Sequence, residues 1–186
     1  MEDKAALRKQ ARERRNVFFS GLSAAERERA FARPPSPFKA LIRPGMIVSG
    51  YFAMGSEADP SALLRWLDQA GCAIALPHVA SVGSPMRFLR WRHGDLLETG
   101  VYGLRQPDKD SPVCAPDLVL MPMLAFDPEL NRLGQGAGFY DRALADLPDS
   151  IRIGLAWSVQ QWPALPADPW DIRMNAVITE KEWITA

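Results

Sequence analysis

The chain is poor in the side chains that most often do enzyme chemistry, with two cysteines and two histidines among its 186 residues. Cys72 and Cys114 each lie within or beside apolar sequence, which excludes a disulfide scaffold and reads as reduced structural thiols. Two histidines and no Ser-His-Asp order leave no triad for nucleophilic catalysis. An excess of either charge is also missing. Lys+Arg and Asp+Glu stand at 22 each, so no global field draws the chain onto nucleic acid or a membrane surface. No stretch approaches the ~20 apolar residues of a membrane span. Met1 to Asn16 is charged throughout and lacks the apolar core of a signal peptide. A reducing cytoplasm, with neither nucleic acid nor membrane as partner, is therefore expected.

What is present is enough apolar sequence, 47% of the chain, to bury one sizeable core. A single domain over 1–186 is expected, with an N-terminal helical segment, 1–32, packed on it. The spacing predicts a helix over 3–19 with Asp3 as N-cap, then a second from Ser23, where Glu26 completes a capping box. Arg33-Pro-Pro-Ser-Pro-Phe38 holds three prolines in four residues and reads as an extended connector. From Met46 short apolar runs alternate with helical segments. Strands are expected at 46–53, 72–77, 86–91 (an edge), 117–126 and 152–157, with helices at 60–69 and 139–147. Alternating elements of this kind imply an α/β fold, a mainly parallel sheet flanked by helices, whose ligand site lies beyond the carboxyl ends of the strands.

The most informative stretch is Arg132-Leu-Gly-Gln-Gly-Ala-Gly-Phe-Tyr-Asp-Arg142. Three alternate glycines let the backbone take positive φ and turn successive N–H groups toward an anion, and the predicted helix after them favours phosphate. Arg132 and Arg142 bracket the loop with charge for phosphate oxygens, and Asp141 offers a hard oxygen to Mg²⁺. No Lys-Ser or Lys-Thr follows, so the loop is not a Walker A motif. Its G-x-G-x-G spacing is not the dinucleotide fingerprint either.

Several separated pieces resemble one family. Lys4-x-x-Leu7-Arg8 with Arg14, Tyr51-Phe-Ala-Met-Gly-Ser-Glu57, Leu76-Pro-His-Val79 and Met86-x-Phe88 occur in order. Tyr102-Gly-Leu-x-x-Pro107, the Arg132–Arg142 loop, Leu165-Pro, Asp171 and Val177-Ile-Thr-Glu180 follow. The chain resembles the 5-formyltetrahydrofolate cyclo-ligase family, also called methenyltetrahydrofolate synthetases. The resemblance implies ATP- and Mg²⁺-dependent cyclisation of 5-formyltetrahydrofolate to 5,10-methenyltetrahydrofolate, through phosphorylation of the formyl oxygen. It implies a monomer that takes reduced folate and ATP.

Carried over by position, Lys4 and Arg8 would contact ATP, their spacing putting both on one helix face. The backbone of Arg132, Leu133, Gly134, Gln135, Gly136, Ala137, Gly138, Phe139 and Tyr140 would wrap the phosphates. Gln135 to Phe139 would also border the formyl group. Phe52 and Glu57 would hold the substrate, Arg132 and Tyr140 would be catalytic, and Asp141 and Asp171 would hold Mg²⁺. Trp91, Tyr102 and Tyr140 offer flat walls, while His78 reads as structural and His93 as a loop residue. The sequence departs from the family pattern at Gln106, Ala137, Phe139 and Trp170. Two other readings stay open: a catalytically silent nucleotide- or pterin-binding relative, and an ATP-using α/β enzyme acting on another amide-like substrate.

Overall fold

Leu118-Val-Leu-Met121 is buried along its whole length, as a central strand covered on both faces must be, and the sheet is built around it. The computed structural model describes residues 4–186, so the Asp3 cap lies outside the described residues. Helix α1 (Lys4–Gly21) is followed by α2 (Ala24–Ala30), whose capping box between Ser23 and Glu26 is formed. Then come α3 (Ser36–Leu41), β1 (Ile47–Ser49), α4 (Ser61–Gln69), β2 (Ala73–His78) and β3 (Arg87–Trp91). A hairpin of β4 (Leu97–Thr99) and β5 (Arg105–Pro107) precedes β6 (Leu118–Met121), and a second, of β7 (Ala125–Phe126) and β8 (Arg132–Leu133), follows it. The chain continues through α5 (Phe139–Ala145), β9 (Ile151–Leu155), β10 (Ala176–Ile178) and β11 (Trp183–Ile184).

Seven of these strands form one sheet in the order β11-β10-β9-β6-β1-β2-β3. The inner five are parallel, and β3 and β11 close the edges in antiparallel pairing. Leu118 and Leu120 face one core with Phe38, Leu63 and Leu67, while Val119 and Met121 face the other with Leu144. The period-2 alternation of a strand thus serves helices on both sides. From β1 the chain crosses to β2, and from β6 it crosses the other way to β9, so the strand order reverses between β1 and β6. Ligands of open α/β sheets bind at such a reversal. No helix among the described residues is long and apolar enough to cross a membrane.

The α/β class and the edge strand at 86–91 agree with the sequence reading, and three details correct it. The proline connector is not extended throughout, because α3 starts inside it with Pro37 in the first turn. No helical N–H bond is needed there, so the missing proline donor costs nothing. The apolar run 117–126 is not one strand. Pro122 cannot donate to a ladder, and the run divides into β6 and β7. The β7–β8 hairpin therefore stands between the central strand and the glycine loop. The strand expected over 46–53 is confined to Ile47–Ser49. Beyond it, a Cβ at Gly50 would meet Leu64 Cδ2 at 2.5 Å, so the chain runs close against α4.

Candidate active site

One face of α1 supplies the site with cations. Lys4, Leu7, Arg8, Ala11 and Arg15 recur at helical spacing. Leu7 and Ala11 are buried against Leu124, Ala125, Leu133 and Leu165, which fixes the helix across the β7–β8 hairpin. Lys4 Nζ reaches Asp168 Oδ2 at 2.6 Å and Asp171 Oδ2 at 2.7 Å. Arg8 Nε donates to the Gly134 carbonyl at 3.1 Å, and Arg12 Nη2 donates to Gln135 Oε1 at 2.9 Å. Desolvation is the largest single influence on Lys4 and works against its charge. The hydrogen bonds and charges of Asp168 and Asp171 together outweigh it, so the ammonium pKa is raised. For Asp171 desolvation is again the largest single influence and raises the pKa. The Asp168 N–H, Lys4 and Arg132 together overcome it, and the carboxyl ends below its ordinary value.

The glycine loop is positioned by the hairpin before it. Buried Asp127 accepts from the N–H groups of Glu129, Asn131 and Leu165 and from Asn131 Nδ2, which pins the turn between β7 and β8. Beyond β8 the backbone takes φ of +112° at Gly136 and +63° at Gly138, conformations that side chains rarely adopt. Gly138 is the N-cap of α5, and no side chain caps that end. Arg132 Nη2 donates to Asp141 Oδ1 at 2.9 Å, the Arg132 side chain being only 6% exposed. Its Nε is buried without a partner among the described residues. Its guanidinium lies 5.6 Å from the centre of the Tyr140 ring. Burial raises the Tyr140 phenol, Arg132 opposes this, and Glu57 adds to it, so the group is a hydrogen-bond donor at neutral pH rather than a base.

Glu57 closes the site from the loop after β1. It is 9% exposed and accepts from the Met54 N–H at 3.0 Å and from Gln135 Nε2 at 3.3 Å. Phe52, earlier in the same loop, faces a neighbouring groove of about 400 Å³ instead. There it packs edge-to-face on Trp91, ring centres 5.6 Å apart, with Arg105 4.9 Å above its ring. Tyr102 is exposed, has φ of +58°, and brings its ring within 5.9 Å of Phe139. His78 is buried, and burial lowers its pKa, in keeping with a structural role.

A chain of contacts thus links Lys4, Asp171, Asp141, Arg132, Tyr140, the glycine loop, Arg8 and Glu57, the last on the loop that leaves β1. Phe52 lies to one side. Asp141 and Asp171 share a neighbourhood: the Ile172 N–H lies 3.4 Å from Asp141 Oδ1. Among the described residues no three His, Cys, Asp or Glu side chains converge on a metal site. Two carboxylates suit Mg²⁺, which keeps several waters and takes its remaining ligands from phosphate. Sequence reasoning missed Asp168 and Arg15. Arg15 follows Leu7 and Ala11 at helical spacing, and a cation in an apolar stripe was the available signal.

Comparison with known proteins points to one family. A profile of the 5-formyltetrahydrofolate cyclo-ligase family matches residues 1–180. The 5-formyltetrahydrofolate cyclo-ligase of Mycolicibacterium smegmatis is 33% identical over 151 residues, covering 76% of this chain and 77% of the relative. That of Escherichia coli K12 is 32% identical over 145 residues, covering 73% and 79%. The NMR structure of Aquifex aeolicus 5,10-methenyltetrahydrofolate synthetase superposes with a TM-score of 0.77 at 28% identity, over 98% of this chain and 92% of that one.

Proposed function

The chain belongs to the 5-formyltetrahydrofolate cyclo-ligase family, and from that premise we propose that it closes 5-formyltetrahydrofolate to 5,10-methenyltetrahydrofolate at the expense of ATP. The formyl oxygen attacks the γ-phosphorus and ADP leaves. N10 then adds to the activated carbon, gives up its proton, and expels phosphate with the former formyl oxygen. Such a sequence needs charge neutralisation and in-line placement rather than a protein nucleophile. That suits a chain without a triad.

In this reading Lys4 and Arg8 meet the nucleotide phosphates together with the backbone from Arg132 to Tyr140. Arg132 neutralises charge on the phosphoryl group, and the protonated Tyr140 hydroxyl donates toward developing negative charge. Asp141 and Asp171 hold Mg²⁺, which supplies charge neutralisation when bound. Glu57 accepts from the pterin N–H donors, and Phe52 meets the substrate only where it extends into the neighbouring groove. The protein acts as a cytoplasmic monomer, one domain of which segment 1–32 is a working part. The observation that carries the reading is the meeting of the α1 cations, the glycine loop and Glu57 at the reversal between β1 and β6. The test is the rise of methenyltetrahydrofolate absorbance from 5-formyltetrahydrofolate with MgATP. Absence of that rise, with folded protein that binds MgATP, would overturn the assignment in favour of another amide-like substrate.

A further inference from the structure

The row of cations on α1 runs on past the residues assigned to phosphate and ends at Arg15, which the reaction as written does not use. Arg15 is 5% exposed. Its Nε donates to Ser56 Oγ at 3.0 Å, its Nη1 donates to the Met123 carbonyl at 3.3 Å, and Nη1 lies 3.8 Å from Glu57 Oε1. Among the described residues Glu57 is the one carboxylate within ion-pair reach of it. A guanidinium withdrawn from water is costly unless its donors are used and its charge is matched. Ser56 and Met123 take two of the donors, and Glu57 matches the charge.

Ser56 belongs to the chain leaving β1 and Met123 to the chain leaving β6. One planar fork therefore ties together the two strand ends between which the sheet order reverses. Glu57 is gripped from three directions, by the Met54 N–H of its own loop, by Gln135 of the glycine loop, and by the charge of Arg15. We propose that Arg15 is a positioning residue which holds the Glu57 carboxylate in place for the reduced folate without touching either substrate. This rests on the folate reading given above. Arg15 thereby differs in kind from Lys4 and Arg8, which share its helix face but point at the nucleotide side. The fork geometry matters as well as the charge, because an ammonium cannot present the same planar set of donors.

The test compares wild type, Arg15→Met and Arg15→Lys by calorimetric titration with 5-formyltetrahydrofolate and, separately, with a non-hydrolysable ATP analogue plus Mg²⁺. Amide hydrogen exchange is followed in the same proteins without ligand. Arg15→Met is expected to weaken folate binding by about tenfold or more and to leave the nucleotide affinity within about twofold, a tenfold change being about 1.4 kcal/mol. Exchange at residues 54–57 should accelerate while α1 stays protected, and Arg15→Lys should recover part of both effects. Equal loss for both ligands, or loss of protection along α1, would make Arg15 a mere anchor of the helix and overturn the proposal. Unchanged folate affinity with unchanged exchange would overturn it too. Should the methionine variant fail to fold, Arg15→Lys alone carries the comparison. Wild type that binds the nucleotide but no reduced folate sinks the folate reading, and the exchange data then still decide whether Arg15 holds the Glu57 loop.

Discussion

Gln135 Nε2 lies 3.3 Å from Glu57 Oε1, so the middle of the glycine loop is tied to the loop that leaves β1. The same side chain accepts from Arg12 on α1. Three segments far apart in sequence thus share one amide.

Lys4→Ala and Arg8→Ala are each expected to raise the apparent KM for ATP by about tenfold, or about 1.4 kcal/mol of transition-state binding. Folate affinity should change little, since neither side chain contacts Glu57 or Phe52. Steady-state kinetics with each substrate varied in turn checks this, and an equal rise in both KM values would count against it.

Asp141 accepts from Arg132 at 2.9 Å and follows directly on the loop. Asp141→Asn is expected to weaken MgATP binding or slow turnover by about tenfold. A Mg²⁺ titration of activity should move to higher concentration. An unchanged titration would remove Asp141 from the metal site.

At Gly138 the backbone sits at φ of +63°, and an added Cβ would lie 2.9 Å from Arg142 Nη1. The arginine tip can give way, but the dihedral cannot relax without moving the loop. Gly138→Val should therefore abolish single-turnover cyclisation while costing about 1–3 kcal/mol of strain. That corresponds to a Tm lowered by roughly 2–12 °C. A variant with full activity per folded molecule would refute the phosphate-cradle role of the loop.

The Lys4–Asp171 pair, 2.7 Å apart, gives opposite signs at the two ends of the pH scale. Lys4 has its pKa raised from 10.5, so its contribution is complete below that value and is lost as pH rises through the folded-state pKa. Asp171 is lowered from 3.8, so its contribution is present above that value and is lost as pH falls through the folded-state pKa. The Tm difference between wild type and Lys4→Met should accordingly be level near neutrality and shrink above pH 10.5. A difference that grew with alkalinity would contradict the assignment.

Much of this was legible in advance because it rests on local regularity. Lys4 and Arg8 share a face by helical spacing, the glycines at 136 and 138 announce positive φ, and Leu118–Met121 reads as buried strand whatever surrounds it. What escaped notice depends on long-range context. Strands of two residues such as β7 and β8 are too short to show a period, and the run they interrupt looks continuous except at Pro122. The helical start at Ser36 was hidden by prolines that punctuate a connector and a first turn equally well. Arg15 could not be assigned because its partners lie 41 and 108 residues away. Asp168 stands 164 residues from the lysine that gives it meaning.

Those same separations set an order of assembly. During synthesis α1 emerges long before Gly134, Asp168 and Asp171, so its cationic face waits without its partners while the central strands are made. Contacts spanning 126 to 167 residues form late and depend on nearly the whole sheet being in place. The half of the molecule proposed to bind phosphate is thus a closing seam. Nascent chains that stop short of Asp168 carry the glycine loop but not the acidic latch that fastens the helix over it.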